Sequence, residues 1–544
     1  MEWLVCKCYS KYISNLSLVI TNKVFLQMSP IGYTYLNQFY KLLLPKLNVE
    51  VFADKSVSAD SIVDFGSSKR RVIPATRKII DSPYEHMCAA IKYQGIRLHF
   101  FAAIFKVIDV NEFADFIRAS PQSKYNRVLW FLFEWLTDAE LPIPALTSGN
   151  YITLFDDAFY YTLKDGIRHK RMRVINNAIG NRDYCPTVRK TKQIQKIAGI
   201  DVYETAYTKM QSLGDVLSTD ILGRSINYLY SKETKSSTEI ENERPDKQRM
   251  QRFLNAVKNV GLFELNKGKL IDIQNQIVEE RVRANDYRTD EIYVGSTIQR
   301  YNIVDEDVHY IGPLAKHVPG MMTGLLATHE NLMLDRSMPA LIHACIISFG
   351  EVYIHPFIDG NGRLHRYLIH DVMKQREAKH KFIIPVSASI LRNPEKYDQV
   401  LESISRPILS MLDYSFSDDS KIVINNDIEY MYRYPDFTEH VKFVYDMMET
   451  AVSSELIEEV CLIICFDTLK DHINSTFDIS NKNIDVLISL LLSNGGTLSK
   501  SKQSYVQQFI ELKHLPGIET VAKGIIEKIM SQFSVNIPEL MNRK

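Results

Sequence analysis

Twelve residues, HPFIDGNGRLHR (His355 to Arg366), gather side chains suited to a phosphorylated ligand. Gly360 and Gly362 lack Cβ atoms, so the backbone there can curl around an anion. Asn361 between them adds an amide without adding charge. Arg363 and Arg366 are three apart and share a face if the segment is helical. Each can grip phosphate oxygens in bidentate fashion. Asp359 would repel a phosphate directly, but it suits a Mg²⁺ ion bridging carboxylate and phosphate oxygens. His355 titrates near neutrality and suits a general base taking a proton from an attacking hydroxyl. Taken singly, these residues have ordinary explanations: a structural histidine, a tight turn, a solvated arginine face. Their concentration points to phosphate chemistry. The spacing excludes a GxxxxGK[ST] phosphate loop and a dinucleotide fingerprint, since the third glycine is missing.

The elements around the string must position it. PALIHACIISFGEVYI puts Leu341, Cys345, Ser348/Phe349 and Val352 on one stripe, which predicts a helix running into His355. Leu364, Tyr367, Leu368 and Val372 repeat at helical spacing after it. Helix, loop, helix is therefore expected, with the glycines at the second helix's start. Unpaired N–H groups and the positive end of the dipole favour phosphate there. Pro356 stiffens the exit from the first helix, and Phe357 is expected to anchor the loop in the core.

The 544 residues predict several domains. Hydrophobic residues make up 45% and charged residues 24%, as in ordinary globular proteins. Lys+Arg and Asp+Glu are each 65, so the net charge is zero, which argues against a coat for nucleic acid or an anionic membrane. The seven cysteines show no CxxC pair, form no zinc pattern and suit a reducing cytosol. No apolar run reaches the ~18 residues of a membrane span. Residues 1–27 read as an upstream extension ahead of Met28. IKYQGIRLHFFAAIFKVI and RVLWFLFEWLT look like buried helices, and LPIPALTSGNY marks a boundary near 141–150. RHKRMRVINN is the densest basic stretch, read as a paired or solvated face rather than a nucleic-acid contact.

HPFIDGNGRLHR satisfies HxFx[DE]GNGRxxR, and on that string the chain resembles the Fic family. The resemblance implies a mainly α fold: a helical core with a short β-hairpin flap, flanked by helical N- and C-terminal domains. It implies transfer of AMP from ATP to a Tyr, Thr or Ser hydroxyl of a target protein, with Mg²⁺ as cofactor. By position, His355 would be the general base and Asp359 the Mg²⁺ ligand. Gly360, Asn361 and Gly362 would form an anion hole, Arg363 and Arg366 would hold the phosphates, and Tyr397 would line the adenine pocket. SSTEIEN also fits the family's inhibitory pattern [ST]xxxE[GN], through Ser237, Glu241 and Asn242. Glu241 would then pair with Arg366 and keep that cation from the terminal phosphate. EIYVG and STIQR resemble the flap's two short strands. Several flanking segments resemble those of large bacterial Fic proteins, and LLLSNGGTLSKSK suggests a winged-helix unit, with an ordinary helix–turn–strand as the alternative.

The expected organisation is an N-terminal mainly helical domain (28–150), a connecting region (151–230), a core (231–415) with its inhibitory helix near 233–243, and a C-terminal helical domain (416–544). Expected partners are ATP and a target protein, with self-association open and no membrane; the expected location is the cytoplasm. Three alternatives stand beside AMP transfer: transfer of another phosphate-containing group such as UMP, hydrolysis of the AMP ester with Glu241 positioning water, and a nucleotide-sensing DNA-binding regulator.

Overall fold

A computed structural model describes residues 28–64, 69–75, 82–211, 219–300, 303–377, 382–417, 419 and 421–542. The proposed extension at 1–27 lies outside them. The chain is mostly helical with small sheets. It divides into two units, and the division is not sequential. One takes Met1–Thr187, Thr289–Ser337 and Glu402–Asp436; the other takes Val188–Arg288, Met338–Leu401 and Phe437–Lys544. No helix among the described residues is long and apolar enough to cross a membrane.

The first unit opens on a small sheet that was not expected, within a stretch, 28–150, that is otherwise mainly helical. Its strands run in the order Ser29–Ile31, Val49–Asp54, Lys69–Pro74, Ser61–Asp64, with the central pair parallel. The runs are too short for a clear alternation, although Val51, Val72 and Ile73 are buried. The stretch IKYQGIRLHFFAAIFKVI breaks at Gly95, whose φ of +80° ends helix Pro83–Gln94 before Leu98–Ile104 begins. RVLWFLFEWLT is the buried side of helix Lys124–Thr137. EIYVG and STIQR are not two strands. Tyr293–Arg300 is one strand that pairs with Ile303–Ile311. Gly295 is not a turn; it sits at a register shift, where a Cβ would come within 2.4 Å of the Asp307 carbonyl oxygen.

Part of the basic stretch is engaged within this unit. Arg171 Nε donates to Glu134 Oε1 (3.0 Å) and its guanidinium lies over Trp130. Arg173 donates to the carbonyls of Thr147 and Gly149, and Arg168 lies over Tyr151. Arg171 and Arg173 thus serve local structure, while Arg168 and Lys170 stay exposed.

The second unit is built of helices. The ones used below are α1 (Thr219–Ile240), α2 (Lys267–Ile277), α3 (Ala340–Ile354), α4 (Asn361–Arg376), α5 (Val386–Arg392), α6 (Thr438–Thr450) and α7 (Leu456–Thr476). The pair α3 and α4 forms its centre. Both are buried almost all round, so the apolar stripes that predicted them cover only part of what each helix buries. Every element among the described residues from Thr438 onward is helical, and α7 with the helices after it encloses a core of Leu, Ile and Val side chains. Asn494-Gly495-Gly496 caps helix Asn481–Ser493, with both glycines at positive φ, and leads to another helix. With no strand among the described residues from Thr438 onward, neither the winged-helix nor the helix–turn–strand expectation holds there.

Candidate functional site

The segment after α3 folds as its residue types require. His355 is the C-cap of α3 in a left-handed conformation, φ 52° and ψ 62°. Gly360 is left-handed too (φ +92°) and is the N-cap of α4. The first intrahelical bond of α4 runs from Leu364 N–H to Gly360 O (2.9 Å). The N–H groups of Asn361, Gly362 and Arg363 therefore precede the helical ladder, where anions bind. The Asn361 side chain is not available to a ligand: its Nδ2 donates to Phe357 O (2.8 Å) and its Oδ1 accepts from Phe357 N–H (3.0 Å). Its contribution to an anion hole is thus its backbone N–H alone. Gln274 on α2 donates to the carbonyls of Asp359 (3.1 Å) and Val282 (3.0 Å) from a buried position. A Cβ on Gly360 would lie 2.7 Å from Val278 Cγ1, so only glycine lets the loop rest here.

His355 is set up to accept a proton. Its Nδ1 lies 3.0 Å from the Val352 carbonyl oxygen, which can only accept, so Nδ1 carries the hydrogen and Nε2 is the basic nitrogen. Burial, with the Arg288 charge beside it, pushes its pKa down to about 4. The Val352 hydrogen bond, Glu241 and Asp359 oppose that shift without cancelling it. Asp359 keeps 39% of its side chain accessible and has Oδ1 3.2 Å from Arg363 Nη2. A single accessible carboxylate beside a helix start fits a Mg²⁺ whose other ligands are phosphate oxygens and water.

Both arginines are buried and already held. Arg366 donates from Nε to Ser237 Oγ (2.9 Å), and from Nη2 to Ser237 O (2.7 Å) and Glu241 Oε1 (2.6 Å). Arg363 meets Glu243 through two bonds, Nη1 to Oε2 (2.9 Å) and Nη2 to Oε1 (2.8 Å). Arg249 Nη2 shares Glu243 Oε2 with Arg363 Nη1. Burial would raise the Glu241 pKa, but the Arg366 charge and hydrogen bond, with Arg363 and His355 beyond, hold it below the ordinary glutamate value. Its Oε1 lies 2.4 Å from where a Gly362 Cβ would stand, so the carboxylate rests on the glycine of the anion hole.

The chain reaches this arrangement through the end of α1. The helix stops at Ile240, earlier than Pro245 alone suggests and short of the expected 243. Asn242 takes the left-handed conformation (φ 56°) that asparagine tolerates, and Glu243 N–H turns back to Thr238 O. Glu241 and Glu243 thus leave from a turn rather than a helix face. Further up α1, buried Glu233 has Oε1 2.9 Å from His370 Nε2 on α4, accepts from Ser387 N–H at the start of α5 (2.9 Å) and also bonds the Ser387 hydroxyl. Glu233, Ser237 and Glu241 are spaced by four, and they meet His370 and Arg366, also spaced by four. Lys232, on another side of α1, pairs with Glu455 (2.6 Å) and Glu459 (2.9 Å) at the start of α7.

Tyr397 is buried and sits among other rings. His365 and Phe443 stack on it at 6.2 and 5.8 Å. Its hydroxyl lies 3.5 Å from Arg366 Nη1, so it supports the arginine from below. Residues that composition and motif did not expose are Glu243, Arg249, Gln274, Arg288 and Glu233. Only Glu243 carried a usable signal, lying two residues past Glu241. Elsewhere, His317, Asp427 and Glu429 bring ligand atoms within 4.8 Å of one another. Lys316 is already 2.8 Å from Asp427 and Lys106 2.9 Å from Glu429, so these carboxylates are engaged by ammonium groups.

Residues 264–373, which include the whole of the string from His355 to Arg366, match the family model described as "Fic/DOC family". The chain carries a Fic/DOC family domain. Ser237, Glu241 and Tyr397 lie outside the matched span. A search of curated proteins returned no match. Among solved structures, a Fic family protein from Desulfovibrio desulfuricans G20 is 18% identical, with 60% of this chain and 85% of that chain covered and a TM-score of 0.30. A Fic domain containing signaling protein from Bacteroides thetaiotaomicron VPI-5482 is 15% identical, with 48% and 96% covered and a TM-score of 0.31.

Proposed function

We propose that this chain is a Mg²⁺-dependent protein adenylyltransferase that moves AMP from ATP to a Tyr, Thr or Ser hydroxyl of a target protein, and that Glu241 holds it inactive. The observation that carries this reading is the pairing of a histidine poised as base with an anion-binding helix start one short loop away. In the forward step the target hydroxyl oxygen forms a bond to the α-phosphorus. The bond from that phosphorus to the α–β bridging oxygen breaks, pyrophosphate leaves, and the hydroxyl proton goes to His355 Nε2. The N–H groups at the start of α4 would take the phosphate charge, with Arg363 and Arg366 on the outer phosphates. Asp359 would hold Mg²⁺, which supplies charge neutralisation to the phosphates when bound.

Glu241 on Arg366 and Glu243 on Arg363 supply the autoinhibition. While both carboxylates stay, neither guanidinium is free for a nucleotide. ATP must displace one anion from each arginine, and the neighbouring carboxylates repel its phosphates.

The test is label transfer. Glu241→Gly protein, [α-³²P]ATP, Mg²⁺ and cell lysate should give labelled protein, with an AMP mass increment on Tyr, Thr or Ser. The His355→Ala form of the same variant should give none. Label from UTP or GTP but not ATP would replace AMP with another nucleotide. Loss of AMP from a modified target only when Glu241 is present would favour the hydrolytic direction. No label from any donor would overturn the transferase reading.

A further inference from the structure

The catalytic histidine proposed above sits in an unusual backbone. A left-handed conformation costs a non-glycine residue roughly 1–2 kcal/mol. At a helix C-terminus the last carbonyls also lack intrahelical partners. Something outside α3 must therefore hold the chain in this turn.

Arg288 does so twice. Its backbone N–H donates to Pro356 O (2.8 Å), and its side-chain Nε–H donates to His355 O (2.7 Å). The residue is 5% exposed, so these bonds are shielded from water. Two successive carbonyls, at 355 and 356, are fixed by one residue from a segment more than sixty positions earlier. With His355 N–H on Glu351 O (2.8 Å) and Nδ1 on Val352 O (3.0 Å), backbone and ring are pinned from both sides. A guanidinium suits this task. It donates along a defined direction, remains charged, and is more weakly hydrated than an ammonium.

We propose that Arg288 is a positioning residue for His355: it holds the left-handed turn after α3 and thereby aims Nε2 at the reacting hydroxyl. Arg288 touches neither nucleotide nor target in this scheme and acts only through the histidine. The inference rests on His355 being the base, and two measurements separate the two ideas.

The first uses full-length protein carrying Glu241→Gly, with Arg288→Gln or Arg288→Lys added. Misaiming the base should lower kcat by about tenfold or more, equivalent to 1.4 kcal/mol of barrier, and leave KM for ATP within about threefold. The pH profile distinguishes the variants. Arg288, Glu241 and Asp359 are charged groups that act on His355. Arg288→Gln takes away the neighbouring cation that lowers the His355 pKa and should move the acid limb upward, while Arg288→Lys should leave it in place. A change in KM with kcat intact, in protein whose melting temperature is preserved, would overturn the proposal.

The second measurement needs no activity. In protein with ¹⁵N-labelled histidine and native Glu241, the His355 signals, assigned by their loss in His355→Ala, should report one tautomer protonated at Nδ1. Arg288→Gln should give averaged or mixed tautomer signals. An unchanged His355 pattern in that variant would sink the positioning role. If the Glu241→Gly parent transfers nothing while Arg288→Gln still disturbs His355, the transferase reading fails and the positioning inference stands.

Discussion

Replacing Glu241 by glycine removes the carboxylate 2.6 Å from Arg366 Nη2. At an effective dielectric of about 20, opposite unit charges about 4 Å apart attract by about 4 kcal/mol. The Glu241 side chain is 32% accessible, so solvent screening takes back part of that. A net of about 2 kcal/mol is a reasonable working value for a charge-assisted contact. That corresponds to an increase of about 30-fold in the fraction of molecules whose Arg366 is free for a phosphate. The initial rate of ³²P incorporation should therefore rise between about 10- and 100-fold over the native chain at fixed ATP and Mg²⁺. Glu243 adds a second stage. It still holds Arg363 in the single variant, so Glu241→Gly with Glu243→Gln should exceed Glu241→Gly alone and lower KM for ATP further. Nucleotide binding by calorimetry checks that each variant is folded and competent. Rates within about twofold of native, in Glu241→Gly protein that binds ATP, would refute the reasoning about Arg366. Equal rates and KM in single and double variants would confine the inhibition to Glu241.

Three further outcomes are expected. His355→Ala in the active background should abolish transfer while leaving ATP affinity unchanged. With the His355 pKa pushed down to about 4, the ring stays neutral above about pH 5, so kcat in that background should hold from pH 8 to pH 5 and fall below it; a rate already halved at pH 6.5 would contradict this. Gly360→Ala adds a strained left-handed residue, worth about 1–2 kcal/mol, and a Cβ 2.7 Å from Val278 Cγ1, so melting by calorimetry should move down by several degrees and nucleotide binding should be lost. Glu233→Gln removes the buried charge facing His370 and weakens the hold of α1 on α4 and α5. It should raise basal labelling by a smaller factor than Glu241→Gly, about two- to fivefold, and labelling no higher than native would show that α1 keeps its place without that contact.

The roles of His355, Asp359, Gly360, Gly362 and the two arginines could be reasoned from residue type because they lie in one contiguous string. Spacing along one chain fixes which groups can share a loop and a helix start. The helices on either side were legible for the same reason, since apolar periodicity is a local signal. The sheet at the start of the first unit was not, because strands of three to six residues leave too little alternation to read. The hairpin was expected, but its strand bounds were misplaced for a related reason: a glycine at a bulge looks the same in sequence as a glycine at a turn.

What the amino-acid string determined by itself is the set of groups available for phosphate chemistry and the order in which they meet the ligand. What only the tertiary structure decided is who holds each group. Arg363 and Arg366 could face a nucleotide, solvent or a carboxylate with equal justice from sequence, and burial against the end of α1 gives them Glu243 and Glu241. Asn361 closes its own loop because Phe357 lies within hydrogen-bond reach in the folded turn. Tyr397 is packed beside His365 and Phe443. Arg288 reaches the His355 carbonyl across sixty-seven positions. A partner at such distance depends on how helices pack, and packing is settled by the whole core rather than by the residues at either end of the bond.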